Sequence, residues 1–167
     1  DEQLLWTVRE AVESGNDHNL PRAVGVAADE ATLKGKEFLR EYGSNGIVVY
    51  YPYFIAEKSG VLDINSHRTV IEAVDKDLWN LVTFGRKNLT VILPKDQPKE
   101  YFGEADFLDK SEISELMKHA SVISGRYRQE LSQGSSILAE WSYAYNTDIL
   151  YKPIGQRYLV FYELRAL

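Results

Sequence analysis

The chain has 167 residues, a formal net charge of −6 and no cysteine. Its length fits one domain with a buried core, and the lack of cysteine excludes disulfides, thiolate metal sites and cysteine nucleophiles. The acidic balance argues against nucleic acid, whose binders gather Lys and Arg on one face. No apolar run reaches the roughly 20 residues that cross a bilayer. No signal-peptide pattern is present, so we expect a cytoplasmic protein with neither membrane nor nucleic-acid partners.

Residues 1–45 are predicted to form a helical N-terminal segment. Helical spacing relates five apolar residues near its start: Leu4, Leu5, Val8, Ala11 and Val12. Gly15 follows them as a stop signal. A second helix is expected over about 29–42, with Asp29 as its cap and Gly43 at its end. Three of its apolar side chains are expected to face inward: Leu33, Phe38 and Leu39.

The composition changes at residue 46, where β-branched and aromatic residues begin to dominate. Residues 46–56 have the composition of a buried strand, with Pro52 marking a break or an edge. Lys58-Ser59-Gly60 has the composition of a turn, and residues 61–64 are expected to pair back from it.

Residues 67–84 fit two patterns, since their apolar residues suit either a strand or a helical stripe. We favour a strand to Val74 and a helical turn through Trp79. Another strand is predicted over 89–93, closed by Pro94, and the polar stretch 95–103 is expected to be a loop.

A helical pattern begins at Ser111, the expected cap, and extends to about residue 131. Two terminal strands are predicted, over 137–145 and 158–167. This order of elements predicts an α+β fold in one domain, with a mostly antiparallel sheet and packed helices. In the last strand Glu163 and Arg165 alternate, so they project from one face. A solvated ion pair on an edge strand is the alternative to a functional site there.

Four segments, in order, resemble the ATP-binding domain of phosphoenolpyruvate synthases and pyruvate phosphate dikinases, members of the ATP-grasp superfamily. The segments are 48–61, 70–74, 139–141 and 162–166. They are similar, respectively, to the family's adenine hinge with its Ser-Gly-Val turn, its Ile-Glu-Ala strand, its Asp-Ile-Glu-Trp signature and its closing Gln-Ala-Arg-Pro strand. The resemblance covers roughly residues 46–167, and it implies the C-terminal lobe of an ATP-grasp fold with Mg²⁺ and ATP as cofactors.

The resemblance also implies residue roles. Glu140 and Glu163 would ligate Mg²⁺, a hard ion that prefers carboxylate oxygens, and Arg165 would contact the transferring phosphate with its planar fork. The remaining implied ligand contacts surround the adenine and ribose: Tyr51, Tyr53, Phe54, Ile55 and Glu72. For the aromatic residues a place in the core or on the surface of a strand is an equal alternative, and for Glu72 it is an ion pair on the sheet.

The chain also departs from the family pattern. Glu163 replaces a glutamine, residues 75–79 replace a glycine-rich turn, and the gap between Glu140 and Glu163 is longer. The family's Arg-Ser-Ser segment and its Thr-Gly-Gly…His element are missing, and the three histidines, His18, His67 and His119, lack that context. The resemblance therefore implies a phosphotransferase lobe that is incomplete by itself. Its partners would be a nucleotide and a protein with the missing lobe, the phosphohistidine domain and the pyruvate-binding barrel.

Two other functions remain open. One is a non-catalytic nucleotide-binding module that keeps the lobe without turnover. The other is a metal-dependent nuclease of the restriction-endonuclease type, in which Asp63 and Glu72 would be the metal ligands. Against the nuclease, the lysine expected two residues after the second acid is replaced by Val74, and the net charge disfavours DNA.

Overall fold

A computed structural model describes residues 2–13 and 20–167. Within these ranges the chain forms nine strands and four helices. The strands are β1 (Trp6–Val12), β2 (Arg22–Val26), β3 (Gly46–Pro52), β4 (Phe54–Ile64), β5 (Arg68–Asp75), β6 (Leu89–Pro94), β7 (Glu100–Gly103), β8 (Ile137–Thr147) and β9 (Pro153–Ala166). The helices are α1 (Ala28–Tyr42), α2 (Trp79–Val82), α3 (Lys110–Arg126) and α4 (Arg128–Ser132). In the described ranges, no helix combines the length and apolarity needed to cross a membrane.

The fold is α+β with mostly antiparallel strands, as the sequence predicts. Its strands form two sheets, in the orders β2-β1-β3 and β7-β6-β5-β4-β8-β9. The chain divides into two compact units. Unit 1 comprises Asp1–Ile55 and Tyr145–Arg157, and unit 2 comprises Ala56–Ala144 and Tyr158–Leu167. The boundaries between the units fall within β4, β8 and β9.

Unit 1 is built around β1, which pairs antiparallel with both β2 and β3. The prediction of a helix over residues 4–12 is therefore wrong, and Gly15, its expected stop, lies outside the described residues. The apolar spacing suits a helix, but Trp6, Thr7 and Val8 favour strands. Backbone pairing on both sides of β1 outweighs the weaker helical pattern, because local propensity yields to tertiary context.

Helix α1 covers the β1 sheet through a core of Val8, Ala31 and Phe38. The predicted range of this helix and its end at Gly43 are confirmed. Gly43 has φ +59°, a conformation that glycine adopts without steric cost. Asp29 was expected to be the cap, but the N-cap is Ala27. Two expected inward residues are exposed instead, because only one stripe of the helix meets the sheet: Leu33 and Leu39.

Glu10 is a buried acid on the same side of β1 as Val8. Its side chain is 4% exposed, and neither carboxylate oxygen has a hydrogen-bond partner among the described residues. The pKa of Glu10 is raised, and burial is the largest cause. The nearby Glu41 carboxylate also raises the pKa. The backbone amide of Ile47 lowers it in part, although no hydrogen bond is completed. The charged form of Glu10 therefore opposes folding of unit 1.

Glu10→Gln is expected to stabilise the protein near neutral pH by about 1 kcal/mol, since an uncompensated buried charge is removed and solvent screens part of its cost. Because the folded pKa lies above the unfolded value, the contribution of Glu10 is most favourable below the unfolded pKa. It is lost as the pH rises through the folded pKa. Urea unfolding of both proteins across this pH window measures the difference. A difference that does not grow with pH would contradict the assignment.

In unit 2, helix α3 packs on one face of the second sheet. The core contains α3 residues Ile113, Leu116 and Ala120 and, at its centre, Trp141, whose side chain is fully buried. The predicted strands at 67–74 and 89–93 are confirmed as β5 and β6, and the helical turn near Trp79 is confirmed as α2. The predicted loop 95–103 is wrong at its end, where β7 forms a short exposed strand beside β6. The terminal strands β8 and β9 are longer than predicted.

The turn predicted at Lys58-Ser59-Gly60 does not exist, because β4 runs without interruption through these residues. Ser59 and Gly60 are buried in the strand. A side chain at Gly60 would overlap the carbonyl oxygen of Glu72 and the indole ring of Trp141. Glycine is required here for the close approach of the tryptophan, so a composition typical of a turn indicates tight packing instead.

Helix α3 begins one residue before the predicted cap. Asp109 is the N-cap: its carboxylate accepts the Glu112 amide at 2.8 Å, and Glu112 Oε2 accepts the Asp109 amide at 2.8 Å. The Ser111 hydroxyl donates to the Asp109 carboxylate at 2.6 Å. This bond and that from the Glu112 amide lower the pKa of Asp109. The helix ends at Arg126 rather than near 131, and α4 follows as a separate turn of helix.

Candidate functional site

The face of the unit 2 sheet opposite α3 carries several polar residues. Alternation along β8 places Ala139 and Trp141 in the core, so Glu140 and Ser142 project from the opposite face. In β5, Ile71 and Ala73 lie in the core, so Glu72 also projects from that opposite face. Neighbouring strands thus present polar side chains to one side of the sheet.

Three hydroxyl groups, those of Ser59, Ser142 and Tyr162, form a partly buried row within this unit. The Ser59 and Ser142 hydroxyl oxygens are 2.8 Å apart, and Ser59 also donates to the carbonyl oxygen of Lys76 at 2.5 Å. The hydroxyl oxygens of Ser142 and Tyr162 are 3.5 Å apart, a long contact. These hydroxyl contacts link β4, β8 and β9, and the Tyr162 phenol lies at the β9 end of the row.

Burial and three carboxylates act on the hydroxyl of Tyr162. Burial is the largest cause of its strongly raised pKa, and its contact with Ser142 acts in the opposite direction. The carboxylates of Glu140, Asp77 and Glu163 raise the pKa of Tyr162 further. These three acids come from β8, the loop before α2, and β9, and each disfavours ionisation of the partly buried Tyr162 hydroxyl.

The structure brings Glu163 and Arg165 together in an ion pair, as their alternation in the strand predicts. Strands β8 and β9 are neighbours in the sheet. Ser136 and Leu167 exchange both backbone hydrogen bonds at the ends of these strands, at 3.2 and 2.8 Å.

Leu159 and Phe161 of β9 pack against the α3 core, and Phe161 contacts the His119 ring of α3, so alternation along β9 places Glu163 on the α3 face. Glu140 projects from the opposite face, so the expectation that Glu140 and Glu163 share one Mg²⁺ does not fit this geometry.

Glu72 is engaged by a lysine. Lys87 Nζ lies 2.7 Å from Glu72 Oε1, so the alternative of an ion pair on the sheet describes this residue in the structure. In the β4–β5 register Glu72 is opposite Val61, and Asp63 is opposite Val70. Asp63 and Glu72 therefore share a face, offset by two residues. Oδ1 of Asp63 is buried and has no hydrogen-bond partner in the described part of the chain.

The predicted adenine hinge lies in unit 1. Tyr53 donates its backbone N–H to the Leu5 carbonyl at 2.8 Å, and its own carbonyl accepts the Thr147 amide at 3.1 Å. Both backbone groups of Tyr53 are thus hydrogen-bonded within the unit, so they are not available to an adenine ring. The other predicted hinge positions are Phe54 and Ile55. The hinge aromatics also contact rings of the same unit, in two pairs: Tyr51 with Phe54 and Tyr53 with Tyr151.

Four residues of the Tyr162 group were not predicted as site residues from the sequence: Ser59, Asp77, Ser142 and Tyr162 itself. Asp77 lies in the segment that replaces the family's glycine-rich turn, and its carboxylate also accepts the Trp79 amide at 2.8 Å. A signal was present, since Ser142 and Tyr162 are each next to or near a predicted metal ligand in sequence. Two of the histidines without family context, His67 and His119, are exposed, and His18 lies outside the described residues.

The described residues contain no group of three or more His, Asp or Glu side chains placed to hold a metal ion together. The four segments that resemble the ATP-grasp domain fall mainly on strands: the first in β3 and β4, the second in β5, the third in β8 and the last in β9. Searches with protein-family models and among curated proteins found no match to this chain.

Proposed function

We propose that unit 2 binds the phosphates of Mg²⁺–ATP beside Tyr162 and that the chain supplies this lobe to an ATP-dependent phosphotransferase of the phosphoenolpyruvate synthase type in the cytoplasm. The observation that carries the proposal is the position of Glu140, a ligand that the resemblance implies, on the same face of the sheet as Ser142, whose hydroxyl contacts that of Tyr162. The carboxylate of Asp77 also acts on the Tyr162 hydroxyl, and it belongs to a segment where the chain departs from the family pattern.

The chemistry of the group suits a magnesium complex. Mg²⁺ is held in proteins by one or two carboxylates, with waters and substrate phosphates completing its octahedral shell. On the Tyr162 face Glu140 would supply one such carboxylate and Asp77 the other, and the bound ion would relieve the repulsion between them. The ion neutralises phosphate charge when it is bound, which is the main requirement of phosphoryl transfer.

Arg165, which the resemblance implies as the phosphate contact, is 58% exposed and paired with Glu163. Alternation along β9 puts both side chains on the α3 face, so the proposal for the Tyr162 face does not depend on them. Within unit 2, Glu72 is proposed to contact the ribose of the nucleotide.

Calorimetry with Mg²⁺–ATP tests the proposal. Binding is expected to be weaker than a Kd of about 1 μM, because the missing lobe would supply the other contacts. Glu140→Gln and Asp77→Asn should each reduce the Mg²⁺-dependent affinity at least about tenfold, since each removes one ligand charge. Glu100→Gln, which removes an exposed acid from β7, should leave binding unchanged. Equal losses of affinity in all three variants would mean that only the net charge of the protein matters, and this would overturn the proposal.

Paramagnetic Mn²⁺ in place of Mg²⁺ locates the ion. Amide signals near Asp77, Glu140 and Tyr162 are expected to broaden first in the nucleotide complex. Broadening confined to other acids, with these signals unchanged, would reject the site. If binding is confirmed but no phosphate is transferred when the partner protein is added, the non-catalytic module becomes the better description.

One observation favours the nuclease alternative. Asp63 and Glu72 share a face, and Lys87 supplies an ammonium beside Glu72 where the sequence motif lacks its lysine. Two acids and a lysine are the groups such an enzyme uses for metal-assisted hydrolysis. Nicking of plasmid DNA that is lost in Glu72→Ala but kept in Glu163→Gln would establish this activity. No nicking by the wild-type chain with Mg²⁺ or Mn²⁺ would exclude it.

A further inference from the structure

A cleft of about 930 Å³ lies within unit 2 and shares no residue with the Tyr162 group. Its walls come from the turn between β4 and β5, the end of β6 with the loop that follows, and helices α3 and α4. The volume is in the range of sites that hold small organic ligands.

The cleft is cationic in an acidic protein. Four basic residues line it and no acidic residue does: Arg68, Lys95, Lys99 and Arg128. None of these four side chains forms an ion pair among the described residues, whereas Lys58, Lys87 and Arg165 elsewhere in unit 2 are each paired with a glutamate. In a chain of net charge −6, four unpaired cations around one cavity create a local positive potential.

A fixed neutral donor lies at the same place. Asn65 accepts the amides of His67 and Arg68 on its side-chain oxygen, both at 2.9 Å. With its oxygen used in this way, the amide group presents its N–H₂ side as a donor. Asn65 and the first residues of β5 thus combine an oriented amide with the Arg68 guanidinium.

The floor of the cleft is apolar. Leu93, Ala120 and Leu131 are buried core residues that also line it, and Met117 adds a flexible thioether. A bare inorganic anion would gain nothing from this apolar floor, and a nucleic-acid backbone needs a longer basic surface than these four residues provide. The combination fits a molecule with an apolar body and an anionic head.

We propose that this cleft binds a small organic phosphate, with its phosphate held by Arg68, Arg128 and the loop lysines and its apolar body on the floor of Leu93, Met117 and Leu131. Guanidinium groups suit this role because they bind phosphate oxygens in pairs. The site is independent of the Mg²⁺–ATP proposal, and its binding requires no metal.

The test uses 1-naphthyl phosphate, with 1-naphthol and inorganic phosphate as the separate halves of the ligand, measured by calorimetry without divalent ions. Naphthyl phosphate is expected to bind with a Kd of about 100 μM, at least about tenfold more tightly than either half. Equal affinity for naphthol would mean an apolar site only, and equal affinity for inorganic phosphate would mean an anion site only. Either result would overturn the proposal.

Matched charge removal decides whether the cleft itself is responsible. Arg68→Gln/Arg128→Gln should weaken binding at least about tenfold, because each lost arginine removes a bidentate phosphate contact. The control Lys118→Gln/Arg126→Gln removes the same charge from exposed positions of α3 outside the cleft. It should change the affinity for naphthyl phosphate less than about twofold. Thermal unfolding verifies that both variants are folded. Equal weakening in the two would reject the cleft.

Amide signals supply a readout that does not depend on affinity. Naphthyl phosphate should shift the signals of 65–69 and 121–128 and leave those of Glu140 and Tyr162 unchanged. Shifts centred on Tyr162 instead would overturn the proposal, without bearing on Mg²⁺–ATP binding. Binding of heparin or RNA alone, with no response to naphthyl phosphate, would point to a polyanionic macromolecule and also reject it.

Discussion

Gly60→Ala is expected to destabilise the protein by about 3 kcal/mol or more, one of the largest effects available from a single added methyl group. The added carbon would overlap the carbonyl oxygen of Glu72 on one side and the Trp141 indole on the other. Neither neighbour can move cheaply. The carbonyl belongs to the backbone of a central strand, and Trp141 is fully buried in the core. Urea unfolding monitored by circular dichroism measures the loss.

Gly125→Ala is the matched control. A side chain at Gly125 would meet nothing within 4 Å, and the residue lies within α3. The same substitution is therefore expected to stabilise the protein by about 0.5 kcal/mol, since alanine favours the helix. If Gly60→Ala lowers the free energy of unfolding and Gly125→Ala raises it, the loss at Gly60 is due to close packing. A loss below about 1 kcal/mol at Gly60 would mean that Trp141 does not occupy the strand surface as described.

Lys58→Met is expected to cost about 2–3 kcal/mol, because it leaves the Glu112 carboxylate buried without its cation. Lys58 Nζ lies 2.9 and 3.1 Å from the two Glu112 oxygens, and Glu112 is only 4% exposed. The pair links β4 to the first turn of α3. The Asp109 amide still donates to Glu112 in the variant, which keeps the loss below that of a fully isolated charge.

A double-mutant cycle isolates this interaction. Lys58→Met/Glu112→Gln should recover about 1 kcal/mol or more of the stability lost in Lys58→Met, because the unpaired carboxylate is removed. The side-chain oxygen of the new glutamine can still accept the Asp109 N–H. Lys34→Met breaks an exposed ion pair with Glu37 on α1 and should have no measurable effect. If the double variant is no more stable than Lys58→Met, the loss comes from packing, for example from the Lys58 ammonium over the Phe107 ring.

Elements with a strong local signal could be predicted from the sequence. Helix α1 ends at Gly43, where a left-handed backbone favours glycine, and β6 ends at Pro94, which cannot continue the ladder. The pairing of Glu163 with Arg165 follows from alternation along a strand. In each case the interactions that determine the structure act between residues close in sequence, so the sequence by itself determines the outcome.

Tertiary contacts decided the rest. Residues 6–12 form a strand because β2 and β3 pair with both edges of β1, which outweighs helical spacing. Gly60 lies in a strand because Trp141, distant in sequence, packs against it. Asp77 and Glu140 meet at Tyr162 only when β5, β8 and β9 are assembled. Burial and electrostatic fields sum over neighbours in space, so they depend on partners that no local pattern of the chain can identify.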